Sequence, residues 1–169
     1  LGFDVEKGLD TVFCLAPDTG ATLWSTSYHG VQRAVDYHDG GTLSTPTVAG
    51  ERVFVTSSAG WLRALDAASG EVLWARPVAR EVGALPDAFG FSASPLVARG
   101  TVIVCVDRVV GVDERTGSIL WNSDPLGAHH STPTLFELRG RTHLAVFGSG
   151  ELCVLDPDSG QRIYSHPWY

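Results

Sequence analysis

Four times along this chain an alternating apolar segment runs into a polar turn ending in glycine, then into a segment carrying an aromatic residue. The copies read CLAPDTGATLW (Cys14 to Trp24), ALDAASGEVLW (Ala64 to Trp74), GVDERTGSILW (Gly111 to Trp121) and VLDPDSGQRIY (Val154 to Tyr164). The turn glycines Gly20, Gly70, Gly117 and Gly160 are spaced by about 50, 47 and 43 residues, a period in the range of propeller blades. Trp24, Trp74, Trp121 and Tyr164 each fall four residues after the glycine, so the register holds in every copy. A register kept through four copies describes an array, whose binding surfaces lie on the faces of the stack rather than within one motif.

The second copy shows a full unit. STPTVAG (Ser44 to Gly50), RVFVTSS (Arg52 to Ser58), WLRALD (Trp61 to Asp66) and EVLWARP (Glu71 to Pro77) are four short strand-like runs separated by glycine-bearing turns. This pattern predicts an antiparallel meander, and helical periodicity of useful length is missing throughout. The third and fourth copies supply the same set, while the first supplies only its last two strands, TVFCL and ATLWS. The expected fold is therefore all-β: one partial β-propeller domain over 1–169, of four-stranded antiparallel blades. About three and a half blades are expected, with repeats near 1–28, 44–78, 92–124 and 130–169. The chain opens at Leu1 and contains no Met, which together with the short first repeat reads as a piece of a longer protein. Closing a ring would then need the remaining blades or a second copy, because open sheet edges invite pairing.

The turn chemistry accounts for the conspicuous carboxylates. In Asp-x-x-(Ser/Thr)-Gly the aspartate accepts hydrogen bonds from turn amides, and glycine takes the left-handed position without a Cβ penalty. Asp66, Asp113 and Asp156 are thus structural rather than catalytic or metal-binding, and so are Gly20, Gly70, Gly117 and Gly160. The first copy has Ala16 at the aspartate position, where Asp18 is expected to substitute from inside the turn. Trp24, Trp74 and Trp121 are expected at blade interfaces, each indole N–H finding a backbone partner.

Charge and cysteine content exclude several function classes. The formal net charge of −7 leaves no basic stripe to displace counterions from phosphate, so no nucleic-acid partner is expected. No apolar run approaches the length needed to span a bilayer. Cys14, Cys105 and Cys153 sit inside apolar strand runs with no zinc, redox or haem spacing, and read as small buried hydrophobes. Ser57, Ser58 and Ser149 precede glycines in turns without the strand-to-helix context of a nucleophile elbow.

These repeats, with Ala/Gly-x-Asp-x-x-(Ser/Thr)-Gly-x-x-x-Trp, resemble the tryptophan-docking repeats of the pyrroloquinoline quinone (PQQ)-type β-propellers. The resemblance covers nearly the whole chain outside the loop from Thr26 to Thr42. It includes the lead triplets Ser44–Pro46, Ala93–Pro95 and Ser131–Pro133. Such a resemblance implies either an eight-bladed quinoprotein dehydrogenase or a non-enzymatic relative, such as the lipoprotein subunit of the outer-membrane β-barrel assembly machinery. The dehydrogenases carry adjacent cysteines and a calcium-ligating Glu/Asn/Asp set, and neither can be matched here residue by residue. The resemblance therefore implies a non-enzymatic binding scaffold, periplasmic or extracellular, without a cofactor and with a protein, peptide or glycan partner. A fragment of a PQQ- and calcium-dependent alcohol or sugar dehydrogenase is the alternative. No catalytic and no metal-ligating residue is assigned.

A ligand is expected where the connections between blades converge: Thr26–Thr42, Val78–Ser92 and Asp124–His130. Long loops on a rigid scaffold commonly carry binding residues. The candidates are His29, Asp36, His38, Phe89, Phe91, His129 and His130, with Tyr28, Tyr37 and Asp39 in the first loop. Trp61, Phe89 and Phe91 are expected to be exposed near the same face, suited to a peptide or extended strand.

Overall fold

The computed structural model describes residues 1–30, 41–87, 89–127 and 130–168. The described residues form four antiparallel sheets of consecutive strands. The first holds β1 (Gly2–Asp4), β2 (Leu9–Leu15) and β3 (Thr22–His29). The second holds β4 (Thr47–Ala49), β5 (Arg52–Thr56), β6 (Leu62–Asp66) and β7 (Val72–Arg76). The third holds β8 (Leu96–Ala98), β9 (Thr101–Cys105), β10 (Val109–Asp113) and β11 (Ile119–Asn122). The fourth holds β12 (Thr134–Leu138), β13 (Arg141–Phe147), β14 (Glu151–Leu155) and β15 (Arg162–Pro167). This is part of a β-propeller, as the repeat spacing predicts.

Three boundaries differ from the sequence expectation. The first sheet has three strands rather than two: β1 is three residues long and pairs Gly2 with Thr11 and Asp4 with Leu9, too short for alternation to reveal. β3 runs on to His29, so Thr26 to His29 belong to a strand and not to a loop. One turn of helix, α1 (Val78–Glu81), follows the second blade where no helix is expected. Its Val78 and Ala79 are buried, and Ala79 N–H donates to the Gly60 carbonyl (3.1 Å). Burial of two apolar side chains stabilises a helix that propensity alone would not sustain at this length.

The period of two divides each inner strand between two interfaces. On β5, Val53 and Val55 pack toward the first blade with Val12 and Leu65, while Phe54 packs toward the third with Val102, Val104 and Val112. On β9, Ile103 and Cys105 turn instead to the fourth blade, against Leu144, Val146, Cys153 and Leu155. Strands covered on both faces read as near-continuous apolar runs, which is why RVFVT and TVIVC look alike in the sequence. All three cysteines are free. Burial pushes the Cys105 thiol up to about 12 and the Cys153 thiol up to about 11.

The tryptophan positions explain the repeat. Trp24 lies against the Gly70 turn of the next blade and donates its indole N–H to the Ala67 carbonyl (3.0 Å). Trp74 does the same at Gly117, donating to the Glu114 carbonyl (3.2 Å), and Trp121 covers Gly160. A Cβ on Gly70 would stand 2.5 Å from the Trp24 ring, so the indole occupies the space a side chain would need. The four turn glycines have φ between 69° and 76°.

The register slips by one residue beside each of the four repeat aromatics, between Cys14/Leu15, Ala64/Leu65, Gly111/Val112 and Val154/Leu155. Each is a β-bulge of the kind that re-aims a side chain. Leu23, Leu73, Leu120 and Ile163 are the unpaired residues, and all four are exposed.

The turn aspartates hold the turns. Asp113 Oδ1 accepts from Arg115 N (3.0 Å), Thr116 N (2.7 Å) and Thr116 Oγ1 (2.8 Å). Asp66 and Asp156 make the same three bonds. Hydrogen bonds from Ser69 hold the Asp66 carboxyl below the usual range, and those from Thr116 do so for Asp113. In the first turn Asp18 does not take this part: the side-chain bond there is from Ala21 N–H to Thr19 Oγ1 (3.2 Å). Asp18 lies past the residue that must reach back over the turn.

Candidate functional site

The antiparallel meander places turns at two ends of each blade. The glycine turns with their aspartates lie at one end; the second-to-third-strand turns and the connections between blades lie at the other. At this second end the repeat sets one position in three copies side by side. Leu43, Ser92 and His130 each immediately precede a lead triplet, in LSTP, SASP and HSTP. The strands themselves begin after the prolines, at Thr47, Leu96 and Thr134, because proline has no N–H to give a ladder.

Within the triplets the blades are laced together. Thr45 N–H donates to Ser94 Oγ (2.9 Å), and Ser94 N–H donates to Thr132 Oγ1 (3.1 Å). One step outward, Leu43, Ser92, His130 and Phe89 line an open pocket of about 470 Å³.

Three polar side chains from two inter-blade connections meet there. Ser92 Oγ lies 2.7 Å from His130 Nδ1, and His130 Nε2 lies 3.2 Å from Asp87 Oδ2. The Phe89 ring meets the imidazole edge-on, with centroids 5.8 Å apart and planes at 88°. Asp87 also accepts Phe89 N–H at Oδ1 (2.9 Å), and its carbonyl accepts Gly90 N–H (3.2 Å), which fixes the turn. The next residue is an anchor: Phe91 N–H donates to the Ser58 carbonyl (2.9 Å). Its ring lies in the core against Gly60, whose Cβ, if present, would meet it at 2.9 Å.

Phe91 therefore does not belong to the exposed face as expected. It is 6% exposed, because α1 and the Gly60 turn draw the connection onto the core. Phe89 and His130 are brought together as partners. His29 is exposed at the end of β3, paired in register with Leu9. Asp36, His38 and His129, with Tyr37 and Asp39, lie outside the described residues. Ser92 and Asp87 were not candidates in the sequence; the available signal was the alignment of Ser92 with His130 one residue before the lead triplets.

A second feature of this end has an electrostatic character. Asp10 is buried and accepts both Thr42 N–H (2.9 Å) and Thr42 Oγ1–H (2.7 Å). Burial and the Asp10 charge push the Tyr28 phenol up to about 12. The Arg63 guanidinium lies over Tyr28 at 3.9 Å and over Trp61 at 5.3 Å, and burial lowers its pKa. Such stacking holds a flexible cation flat against aromatic faces.

Aromatic side chains recur around the same end. Trp61 is 37% exposed, Phe89 40%, Phe147 42% and Trp168 48%. Phe147 and Trp168 stack with centroids 4.5 Å apart and planes at 20°. Phe147 ends β13 and Trp168 follows β15, so the pair belongs to this end by topology.

Among the described residues no three His, Cys, Asp or Glu side chains group as metal ligands, and the three cysteines are far apart in sequence. No helix among the described residues is long and apolar enough to cross a membrane.

Comparison with known proteins yields a consistent set of relatives. The family model described as outer membrane protein assembly factor BamB matches residues 9–168. The outer membrane protein assembly factor BamB of Pseudomonas aeruginosa is 35% identical over 126 residues, 68% of this chain and 28% of that protein. The glycerol dehydrogenase large subunit of Gluconobacter oxydans is 27% identical over 119 residues, 62% of this chain and 16% of that protein. The chain thus spans less than a third of the length of these curated relatives. Among solved structures, quinohemoprotein alcohol dehydrogenase from Comamonas testosteroni superposes with a TM-score of 0.71 at 18% identity. That superposition covers 93% of this chain and 32% of the enzyme, a likeness of fold alone.

Proposed function

The chain belongs to the family of the outer membrane protein assembly factor BamB, and from that premise we propose that it is a binding scaffold outside the cytoplasm, without quinone-dependent catalysis. The inter-blade end receives a protein or peptide segment in extended form. One observation carries this reading: Trp61, Phe89, Phe147 and Trp168 are all exposed at the same end of the blades, while the large apolar side chains of the blade interiors are buried. Aromatic residues give contact area at low entropic cost, which is why they dominate recognition surfaces. An extended segment offers alternate side chains at the spacing such a rim can accept. His29 and His130, with Asp36, His38 and His129 in the same connections by sequence, would supply polar contacts.

The remaining partner surface is the blade edge. Tyr164, which holds the tryptophan position of the fourth blade, is 56% exposed, and the space above Gly20 is open. Further blades or a second copy of the chain would cover both as Trp24, Trp74 and Trp121 cover the internal turns.

The decisive experiment measures anisotropy of a labelled peptide that alternates aromatic and polar residues. The pair Trp61→Ala and Phe147→Ala should weaken binding at least about tenfold, equivalent to about 1.4 kcal/mol, while Asp113→Ala leaves it unchanged. Unaltered affinity in the double variant would refute the aromatic face as the site. The likeness to a glycerol dehydrogenase subunit makes a dye-linked assay with added PQQ and calcium the complementary test; sustained turnover there would replace the scaffold reading.

A further inference from the structure

The hydrogen-bonded set Ser92, His130 and Asp87 has a chemistry that a binding surface does not use. The Ser92 hydroxyl and one imidazole nitrogen are 2.7 Å apart, and the other imidazole nitrogen is 3.2 Å from a carboxylate oxygen. We propose that Ser92 is an activated nucleophile, with His130 as its general base and Asp87 as the residue positioning the imidazole, acting on small esters with an apolar acyl group. A nucleophile in reach of a base, with that base oriented by a third group, is the arrangement by which a weakly nucleophilic hydroxyl becomes reactive.

The tautomer follows from the acceptor. An ionised carboxylate can only accept, so Asp87 holds the imidazole proton on Nε2 and leaves the Nδ1 lone pair toward Ser92. The geometry is held in place by neighbours that are not themselves reactive. Phe91, one residue before Ser92, is locked in the core; the Asp87 turn is closed by Phe89 N–H donating to its side-chain Oδ1 and Gly90 N–H donating to its backbone carbonyl; and the Phe89 ring abuts the imidazole. Little ordering is left to be done when a substrate arrives. Leu43 and Phe89 form the apolar wall of the adjoining pocket, which selects an acyl chain over a charged group. The imidazole is 46% exposed on its side chain, so water reaches the site.

The reaction balances with water alone. Ser92 Oγ bonds to the ester carbonyl carbon while its proton passes to His130 Nδ1. The carbon–alkoxy bond then breaks and the alkoxide leaves as an alcohol, taking that proton. Water attacks the acyl-serine through the same base, the Ser92–acyl bond breaks, and a carboxylic acid and free Ser92 result.

The test uses the full chain and an alkyl fluorophosphonate, in which the Ser92 Oγ–P bond forms, the P–F bond breaks, fluoride leaves and His130 takes the proton. Tandem mass spectrometry locates the adduct. The expected result is labelling of Ser92 at least about tenfold above the exposed Ser69 and Ser159, since general-base assistance contributes about 10²-fold or more. The signal should vanish in Ser92→Ala and fall at least about tenfold in His130→Gln. Nitrogen-15 spectra should place the His130 proton on Nε2, and Asp87→Asn with its fold intact should slow Ser92 labelling at least about tenfold, a loss that a purely structural tie would not give. Equal labelling of the three serines overturns the proposal. So does full labelling in a folded His130→Gln. If that variant has a lowered Tm, the wild-type selectivity and the tautomer spectrum decide by themselves. Failure here leaves peptide binding to the aromatic face intact, and loss of peptide binding leaves this chemistry intact.

Discussion

At the glycine-turn end of the blades, the turns of Asp66, Asp113 and Asp156 are copies of one another: three hydrogen bonds each, at distances agreeing within a few tenths of an ångström. At the inter-blade end nothing repeats so closely. One connection folds into a helical turn and buries a phenylalanine, while the next brings a histidine to a serine 38 positions earlier in the chain. Both ends hang on the same strands. The turn end is determined by contacts within five residues and by one indole from the neighbouring blade, so every copy solves the same local problem. The inter-blade end joins elements whose separations differ from copy to copy, which frees it to carry a site.

The sharpest way to break this contrast is to remove an indole. Trp74→Ala, which strips the cover from Gly117 and the packing on Phe54 at 6.0 Å, should cost about 3 kcal/mol in denaturant unfolding. Tyr164→Ala, at the same repeat position but exposed, should stay within about 0.5 kcal/mol. Equal losses would mean that the aromatic acts within its own blade rather than between blades.

A smaller difference separates two glycines at the same position of different turns. Gly20→Ala meets open space and should cost about 1 kcal/mol for a left-handed alanine. Gly70→Ala drives a Cβ against Trp24 and should cost about 2 kcal/mol more, as overpacking does. Chemical denaturation of the two variants, compared in m-value as well as midpoint, isolates the contact from the backbone.

Solution pH probes the interiors of the blades. The Cys105 thiol is raised from 9.0 to about 12 and the Tyr28 phenol from 10.0 to about 12. Both acids hold their protons more tightly folded than unfolded, so this stability is complete below about pH 9 and is lost as pH climbs toward 12. Tm should fall across that window, and Cys105→Ala should flatten the fall. An unchanged slope in that variant would place the titrating group elsewhere. At the opposite extreme, the depressed Asp66 and Asp113 carboxyls stabilise above their ordinary range near 4, with the effect lost on acidification through their lowered values. Asp113→Asn should remove part of that acid dependence while lowering Tm only slightly at neutral pH.

The smallest stability effects belong to the inter-blade rim. Trp61→Ala and Phe147→Ala should each shift unfolding by less than about 1 kcal/mol, as exposed positions do, although both are expected to weaken peptide capture. A large destabilisation from Phe147→Ala would mean that its stack with Trp168 is a structural clasp rather than a docking surface.

The aromatic and the turn glycine of each repeat, and the aspartate of the last three, were legible in the sequence because each position answers to a local rule: a left-handed residue, an amide to be satisfied, an aromatic four residues on. The near-continuous apolar runs RVFVT and TVIVC likewise determined that those inner strands are packed on both faces, and the short runs between glycine-bearing turns that the chain folds as an all-β array. Only the tertiary structure decided what the connections do. Phe91 and Phe89 sit two residues apart in one glycine-containing connection, yet one enters the core and the other stays at the rim. The space beneath Gly60 and the burial of α1 make that choice, and neither is visible in a window of neighbouring residues. The meeting of Ser92 with His130 and Asp87 is a consequence of the same kind. Repetition brings the position before each lead triplet to one place, but whether the side chains there touch depends on how the blades lie against one another. Contacts between sequence-distant loops are properties of that packing, and no local pattern encodes them.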